Sequence, residues 1–150
     1  VQLMIMYFVV FSSSRHEVAV ATLAFGINSG AYVAEIVRGG IMSVDAGQME
    51  AGRSLGMNYT QTMRHIIIPQ AIKNILPALG NEMITLLKDT SLMTVIGAKD
   101  LTKAAQTVQA VTYQAFMPYI SIAVIYLVCV IALSKLLALI ERRMRNSDRR

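Results

Sequence analysis

The chain has 150 residues, 55% of them apolar, a mean hydropathy of +0.51 and a formal net charge of +5. That balance is too apolar for an ordinary soluble domain. The basic residues crowd at segment ends and at the C-terminus, where topology signals sit, with no aromatic-plus-basic platform among them, so a nucleic-acid partner is excluded.

Residues 1–11 are apolar, but about 11 residues are too few for a hydrocarbon core that needs roughly 20, so they read as the remaining part of a membrane helix. A polar turn at 12–17 (SSSRHE) follows. Residues 18–40 form a full-length apolar stretch interrupted by Asn28, Ser29, Gly30, Tyr32 and Glu35. Asn28, Tyr32 and Glu35 recur at i, i+4 and i+7, one stripe of a helix. The stripe either lines a translocation path or bonds across a packed helix–helix interface, with Gly30 permitting close approach; the second is the commoner use. Arg38, followed by Gly39 and Gly40, marks where this helix meets the headgroups, its stem on apolar surface and its charge in water.

Residues 44–68 are a polar, charged island between apolar segments, with the run EAGRSLGMNYTQTMRHIIIP at 50–69 as its heart. It reads as two short helices joined at Gly56, because glycine leaves a helix through the left-handed region without steric cost. Asn58 followed by Gln61 is a capping-box variant opening the second helix, and Pro69 is expected to end it. Such a pair of amphipathic turns outside the bilayer is suited to being gripped by another protein.

Residues 69–90 are a third membrane segment, broken by Pro77 and Gly80, where a kink is expected. It carries Asn81, Glu82, Lys88 and Asp89. A charge at membrane depth costs from about 2.5 to well over 10 kcal/mol and usually faces water or a partner. Glu82 and Asp89, seven residues apart, fall near one helical face. Lys88 can neutralise either of them, so a transport path and a structural ion pair both stand. Residues 91–97 are a short apolar piece, re-entrant or partly buried. Residues 100–113 are a polar helix or loop at the outer surface, 117–140 the cleanest span, and 141–150 (ERRMRNSDRR) a basic tail resting on anionic lipid. Cys129, the single cysteine, excludes an internal disulfide and reads as a buried small hydrophobe.

With the 44–68 loop and the tail on the cytoplasmic side, that side collects Arg38, Arg53, Arg64, Lys73, Lys135, Arg142, Arg143, Arg145, Arg149 and Arg150, against Arg15, Lys88, Lys99 and Lys103 opposite. No phosphate-binding G-x-x-x-x-G-K-[ST] run, nucleophile elbow or His–Asp relay occurs in the sequence. His16 and His65 belong to aqueous loops on opposite sides, so neither a metal site nor a cofactor is expected. The chain reads as a non-enzyme and as one all-α, polytopic membrane domain over 1–150.

The spacing Glu50-Ala51-x-x-x-x-Gly56, nine residues, then Ile66-x-Ile68-Pro69, resembles the EAA loop of permease subunits of bacterial ABC importers. Gly52 stands where a second Ala is usual, expected to loosen the first helix by about 1 kcal/mol, and Ile68 where Leu is common. The stretches GNEMITLLKDTSL (80–92) and NSGAYVAEIVRGG (28–40) are similar to those of permeases for polar amino acids. With Leu101-Thr102 and the closing span, the resemblance covers nearly the whole chain.

The resemblance implies the ABC importer permease (MetI-like) fold, present in part, the chain being the C-terminal portion of such a subunit. It implies that the loop is a cytoplasmic coupling element for an ATPase subunit dimer, through Glu50, Ala51, Arg53, Gly56, Ile66 and Pro69. A second permease subunit, an extracytoplasmic solute-binding protein and a polar amino acid substrate complete the implied partners, in the inner-membrane lipid bilayer. Glu82, Lys88, Asp89, Thr90 and Ser91, with Asn28, Tyr32 and Glu35, are the expected substrate path, since a zwitterion needs both signs of charge along its route. Two other classes compete: a membrane scaffold that recruits a soluble partner, and an ion-coupled carrier or channel independent of ATP.

Overall fold

Small residues set the first contacts between the helices. The computed structural model describes residues 1–13 and 16–146, which are helical with short connections and no strand. Helix α1 (Gln2–Ile5) widens into a π-helical turn (Met6–Val10) and is followed by α2 (Glu17–Met42), α3 (Ala46–Ser54) and α4 (Tyr59–Thr62). A second π-helical turn (Met63–Ile67), α5 (Ile68–Asp89), a 3₁₀ turn (Thr90–Ile96), α6 (Leu101–Thr112) and α7 (Phe116–Asn146) complete the order. Arg15, Arg149 and Arg150, which entered the charge asymmetry, lie outside the described residues. The backbone divides into two units, one of Val1–Gly30 and Met83–Ser134, the other of Ala31–Glu82 with the stretch from Lys135 on.

In the first unit, Leu3 of α1, Ala21 and Ala24 of α2, and Ile96 and Ala98 are buried together, with Met6, Tyr7, Phe25 and Met93 around them. The alanines leave room for close approach, and the Gln2 side-chain amide donates to the Ala24 carbonyl at 3.4 Å. Residues 91–97 fall in the 3₁₀ turn and the Gly97 that closes it at φ 84°, an arrangement that buries Ile96. Asp100 caps α6, its carboxylate accepting from the Lys103 N–H at 2.7 Å. The Tyr119 hydroxyl, donating to Gln109 Oε1 at 2.9 Å, ties the start of α7 to α6.

In the second unit, Gly40 of α2 lies directly against the Ile75 side chain of α5, and Gly80 of α5 against Leu137 of α7. A Cβ at Gly80 would stand 2.7 Å from Leu137 Cδ2, so no larger residue fits there unless Leu137 shifts. Polar side chains add bonds between elements: Asn74 donates to the Ser43 hydroxyl at 2.8 Å, and Gln70 to Gln48 Oε1 at 3.2 Å.

Three expectations change. Helix α5 is not broken at Pro77 or Gly80; it runs on through both, and Gly80 serves packing. Pro69 does not end the loop, because α4 passes through the π-helical turn directly into α5. Proline lacks an N–H and crowds the carbonyl four residues back; the wider turn just before it, in which the Ile68 N–H bonds to the Met63 carbonyl, relieves that crowding. Cys129 is exposed on α7, since none of the most apolar window of that helix is buried within the chain.

Two of the described helices, α2 and α7 as far as Met144, are long and apolar enough to cross a bilayer, with mean hydropathies of 1.4 and 2.6. Helix α5, at 22 residues, is long enough but amphipathic and does not meet the same measure. Gly80→Val should drive a branched side chain into Leu137 and lower the thermal unfolding midpoint of the detergent-purified protein, at an overpacking cost of about 1–3 kcal/mol. Gly39→Val, where an added Cβ meets nothing within 4 Å, should leave the midpoint unchanged.

Candidate functional site

The hairpin formed by α3 and α4 is built from local devices. Asp45 opens α3, its carboxylate accepting from the Gly47 N–H at 2.7 Å. The helix closes on Leu55 and Gly56, with the Gly56 N–H bonded to the Arg53 carbonyl at 2.9 Å. Gly56 holds φ 80°, the left-handed region where a side chain is strained. Asn58 Oδ1 then accepts from the Gln61 N–H at 2.9 Å while Gln61 Oε1 accepts from the Asn58 N–H at 3.0 Å, the reciprocal capping box anticipated from the sequence.

Of the residues expected to couple the hairpin to a motor, Glu50, Ala51 and Arg53 are exposed on α3 and Gly56 is exposed at the turn. Ile66 is half-buried in the π-helical turn, and Pro69 is exposed in the first turn of α5. Two residues were missed. Leu55 is 79% exposed and Tyr59 60% exposed, either side of Gly56. Large apolar groups at the tip of a polar hairpin are the kind of anchor that a partner's pocket desolvates. The signal was present in the sequence, since a Leu beside a turn glycine has no local surface to cover it.

Gly52 also departs from expectation. It is buried and faces Thr62 of α4, so it is a point of close approach and not a loosened turn. A polar cavity of about 590 Å³ opens beside the start of α3, lined by Ser43, Asp45, Lys73, Asn74 and Glu141 among others. None of the expected path residues lines it.

The path residues are placed as follows. Asn28 is half-buried, whereas Tyr32 and Glu35 are exposed on α2. Glu35 Oε2 accepts from Arg38 Nη2 at 2.6 Å and from Nε at 3.2 Å, an ion pair within one helix. An added Cβ at Gly30 meets nothing within 4 Å. Among the described residues no side chain crowds Gly30, and Tyr32 and Glu35 are exposed. Arg38, expected to reach for headgroups, is held by Glu35 and also lies 3.6 Å from Met42 Sδ.

Glu82 and Asp89 are half-buried and Lys88 is exposed. Among the described residues Lys88 and Asp89 form no ion pair, since neighbours on a helix point about 100° apart. The Thr90 hydroxyl donates to the Leu87 carbonyl and that of Ser91 to the Lys88 carbonyl, each at 2.7 Å. Both hydroxyls thereby satisfy carbonyls at the end of α5 and keep their lone pairs for a ligand. Thr90 also lines a groove of about 450 Å³ with Thr22, Gly26, Ser29 and Leu86.

Over residues 1–146 the chain matches the family described as binding-protein-dependent transport system inner membrane component. It is 41% identical over 149 residues to the glutamine transport system permease protein GlnP of Escherichia coli (strain K12), a match covering 97% of this chain and 68% of that protein. It is 40% identical over 150 residues to the arginine transport system permease protein ArtQ of Bacillus subtilis (strain 168), covering 98% and 68%. A chain in the crystal structure of an amino acid ABC transporter with histidines is 53% identical, with a TM-score of 0.89 over 95% of this chain and 67% of that one.

The left-handed turn makes a prediction of its own. Gly56→Ala should lower stability by about 1–2 kcal/mol, and Gly56→Asn by less, because Asn tolerates the left-handed region. Thermal unfolding of the purified variants gives both values.

Proposed function

Because the chain belongs to the family of inner-membrane components of binding-protein-dependent transport systems, we propose that it moves polar amino acids across the bacterial inner membrane as a permease subunit of an ABC importer. The observation that carries this reading is the capped hairpin with an apolar tip, on a chain whose relatives are named as glutamine and arginine permeases. The chain is a transport subunit and not an enzyme; ATP hydrolysis belongs to a separate subunit.

In this reading the hairpin and the C-terminus face the cytoplasm, and α5 crosses the membrane together with α2 and α7. A dimer of ATPase subunits holds the hairpin, with Leu55 and Tyr59 seated in its cleft and Glu50, Ala51 and Arg53 at the contact. Gly56 sets the bend, while Ile66 and Pro69 lie where the hairpin passes into α5. A second permease subunit, identical or related, encloses the route, and an extracytoplasmic binding protein delivers the substrate. Closure of the ATPases pulls the hairpin and reorients the spanning helices, giving alternating access.

The route is lined by Glu82, Lys88 and Asp89, with Thr90, Ser91 and the α2 stripe Asn28, Tyr32 and Glu35. An α-amino acid carries an ammonium and a carboxylate, and charges of both signs match it. The scaffold reading leaves these charges at membrane depth without a use. The ion-coupled carrier leaves the exposed hairpin tip without one.

Reconstituted with its partners in vesicles, the complex should take up polar amino acids only when ATP is supplied; equal uptake without ATP would mean a carrier. Glu50→Lys should abolish uptake while leaving the chain inserted, and normal uptake would make the hairpin a passive connector. Asp89→Asn should raise the KM for substrate by about tenfold, the size of one lost charge-assisted contact, with the affinity of the binding protein unchanged.

A further inference from the structure

We infer that Thr62 is a positioning residue for the coupling hairpin: its buried side chain, seated against Gly52, fixes the angle at which α3 is presented to the ATPase. This rests on the permease reading above. A Cβ at Gly52 would stand 2.5 Å from Thr62 Cγ2, 2.8 Å from its Oγ1 and 3.2 Å from its Cβ. Thr62 is fully buried, so its side chain has no solvent to swing into. It is also β-branched, which leaves few χ1 rotamers in a helix. Its hydroxyl donates to the Asn58 carbonyl at 3.0 Å, which ties it to the residue that caps α4.

The surroundings complete the lock. The Met57 N–H bonds to the Gly52 carbonyl at 3.1 Å, holding the connection against the same point of α3. Gly56, at φ 80°, would otherwise be a free hinge between two short helices. The Gly52–Thr62 contact removes that freedom, so a displacement of α3 is delivered to α4 and, through the π-helical turn, to α5. Thr62 fills the space that a side chain at position 52 would need, and that is why Gly52 is required.

The test uses the complete transporter in vesicles and reads uptake per ATP hydrolysed for wild type, Gly52→Ala, Thr62→Ala and the double variant G52A/T62A. Gly52→Ala should couple about tenfold less well, the size of an overpacked contact, while still co-purifying with the ATPase. Thr62→Ala empties the contact and should itself couple about threefold less well than wild type, and the double variant, with the space freed, should match Thr62→Ala rather than Gly52→Ala. Wild-type coupling in Gly52→Ala or in Thr62→Ala, or a double variant no better than Gly52→Ala, would overturn the inference. If Gly52→Ala fails to reach the membrane, return of the double variant to the membrane with the coupling of Thr62→Ala supports the lock, and its continued absence overturns it. A wild-type complex that hydrolyses ATP without any uptake would sink the permease reading instead, and the ATPase rates of the four variants would then read the contact in the same way.

Discussion

Close backbone approach is what holds the helices of this chain together. Of the ten hydrophobic residues buried among the described ones, Ala21, Ala24, Ala71, Ala98 and Ala105 are alanines, and Gly40, Gly52 and Gly80 each face a neighbouring side chain with no room for a Cβ. In water such a core would be too small to offset the entropy of ordering 150 residues. In lipid the requirement differs, because hydrocarbon is as apolar as leucine and helices associate through packing and interhelical hydrogen bonds. Helix α7 shows the other side of that rule: Leu127, Val128, Ile131 and Leu139 are all exposed, a surface that lipid or another subunit can cover and water cannot.

The same economy shapes the α3–α4 hairpin. Helices α4 and α5 join through a π-helical turn, so the chain from Tyr59 to Asp89 is helical without a break. A helix transmits a push along its axis because every turn is bonded to the next. Tyr59, beside the tip, opens this helical run, whereas Leu55 lies before it on the far side of Gly56. At the joint with α3 the capping box, the left-handed glycine and the Gly52–Thr62 contact converge.

What the sequence revealed, and what it hid, divides by range. The turn at Gly56 and the Asn58–Gln61 cap were legible because each is settled within a few residues by backbone sterics and side-chain reach. The long apolar runs gave α2 and α7 for a similar reason. Pro69 misled because it was read as a stop, whereas a wider turn accommodates it; Pro77, where a kink was expected, lies inside a helix that runs on through it. Gly52 was read through helix propensity alone, but its neighbour Thr62 is ten residues away and on a different helix, beyond the reach of any local rule. Leu55 and Tyr59 were passed over although the turn glycine between them was itself a local signal that they would stay uncovered.

The charges at the end of α5 can be taken one step further. Lys88 could have neutralised either acidic residue, which would have made all of these charges structural. Helix geometry opposes a Lys88–Asp89 pair: Asp89 is the next residue and points about 100° away. Among the described residues Lys88 and Asp89 remain unpaired. An unpaired charge within the membrane region is costly to keep unless water or a charged ligand meets it. In the proposed route the ammonium would meet Asp89 and the carboxylate Lys88, and the hydroxyls of Thr90 and Ser91, the first two residues of the 3₁₀ turn, have already used their protons on the helix end. They are left as acceptors, so the ammonium is the group that they can add to.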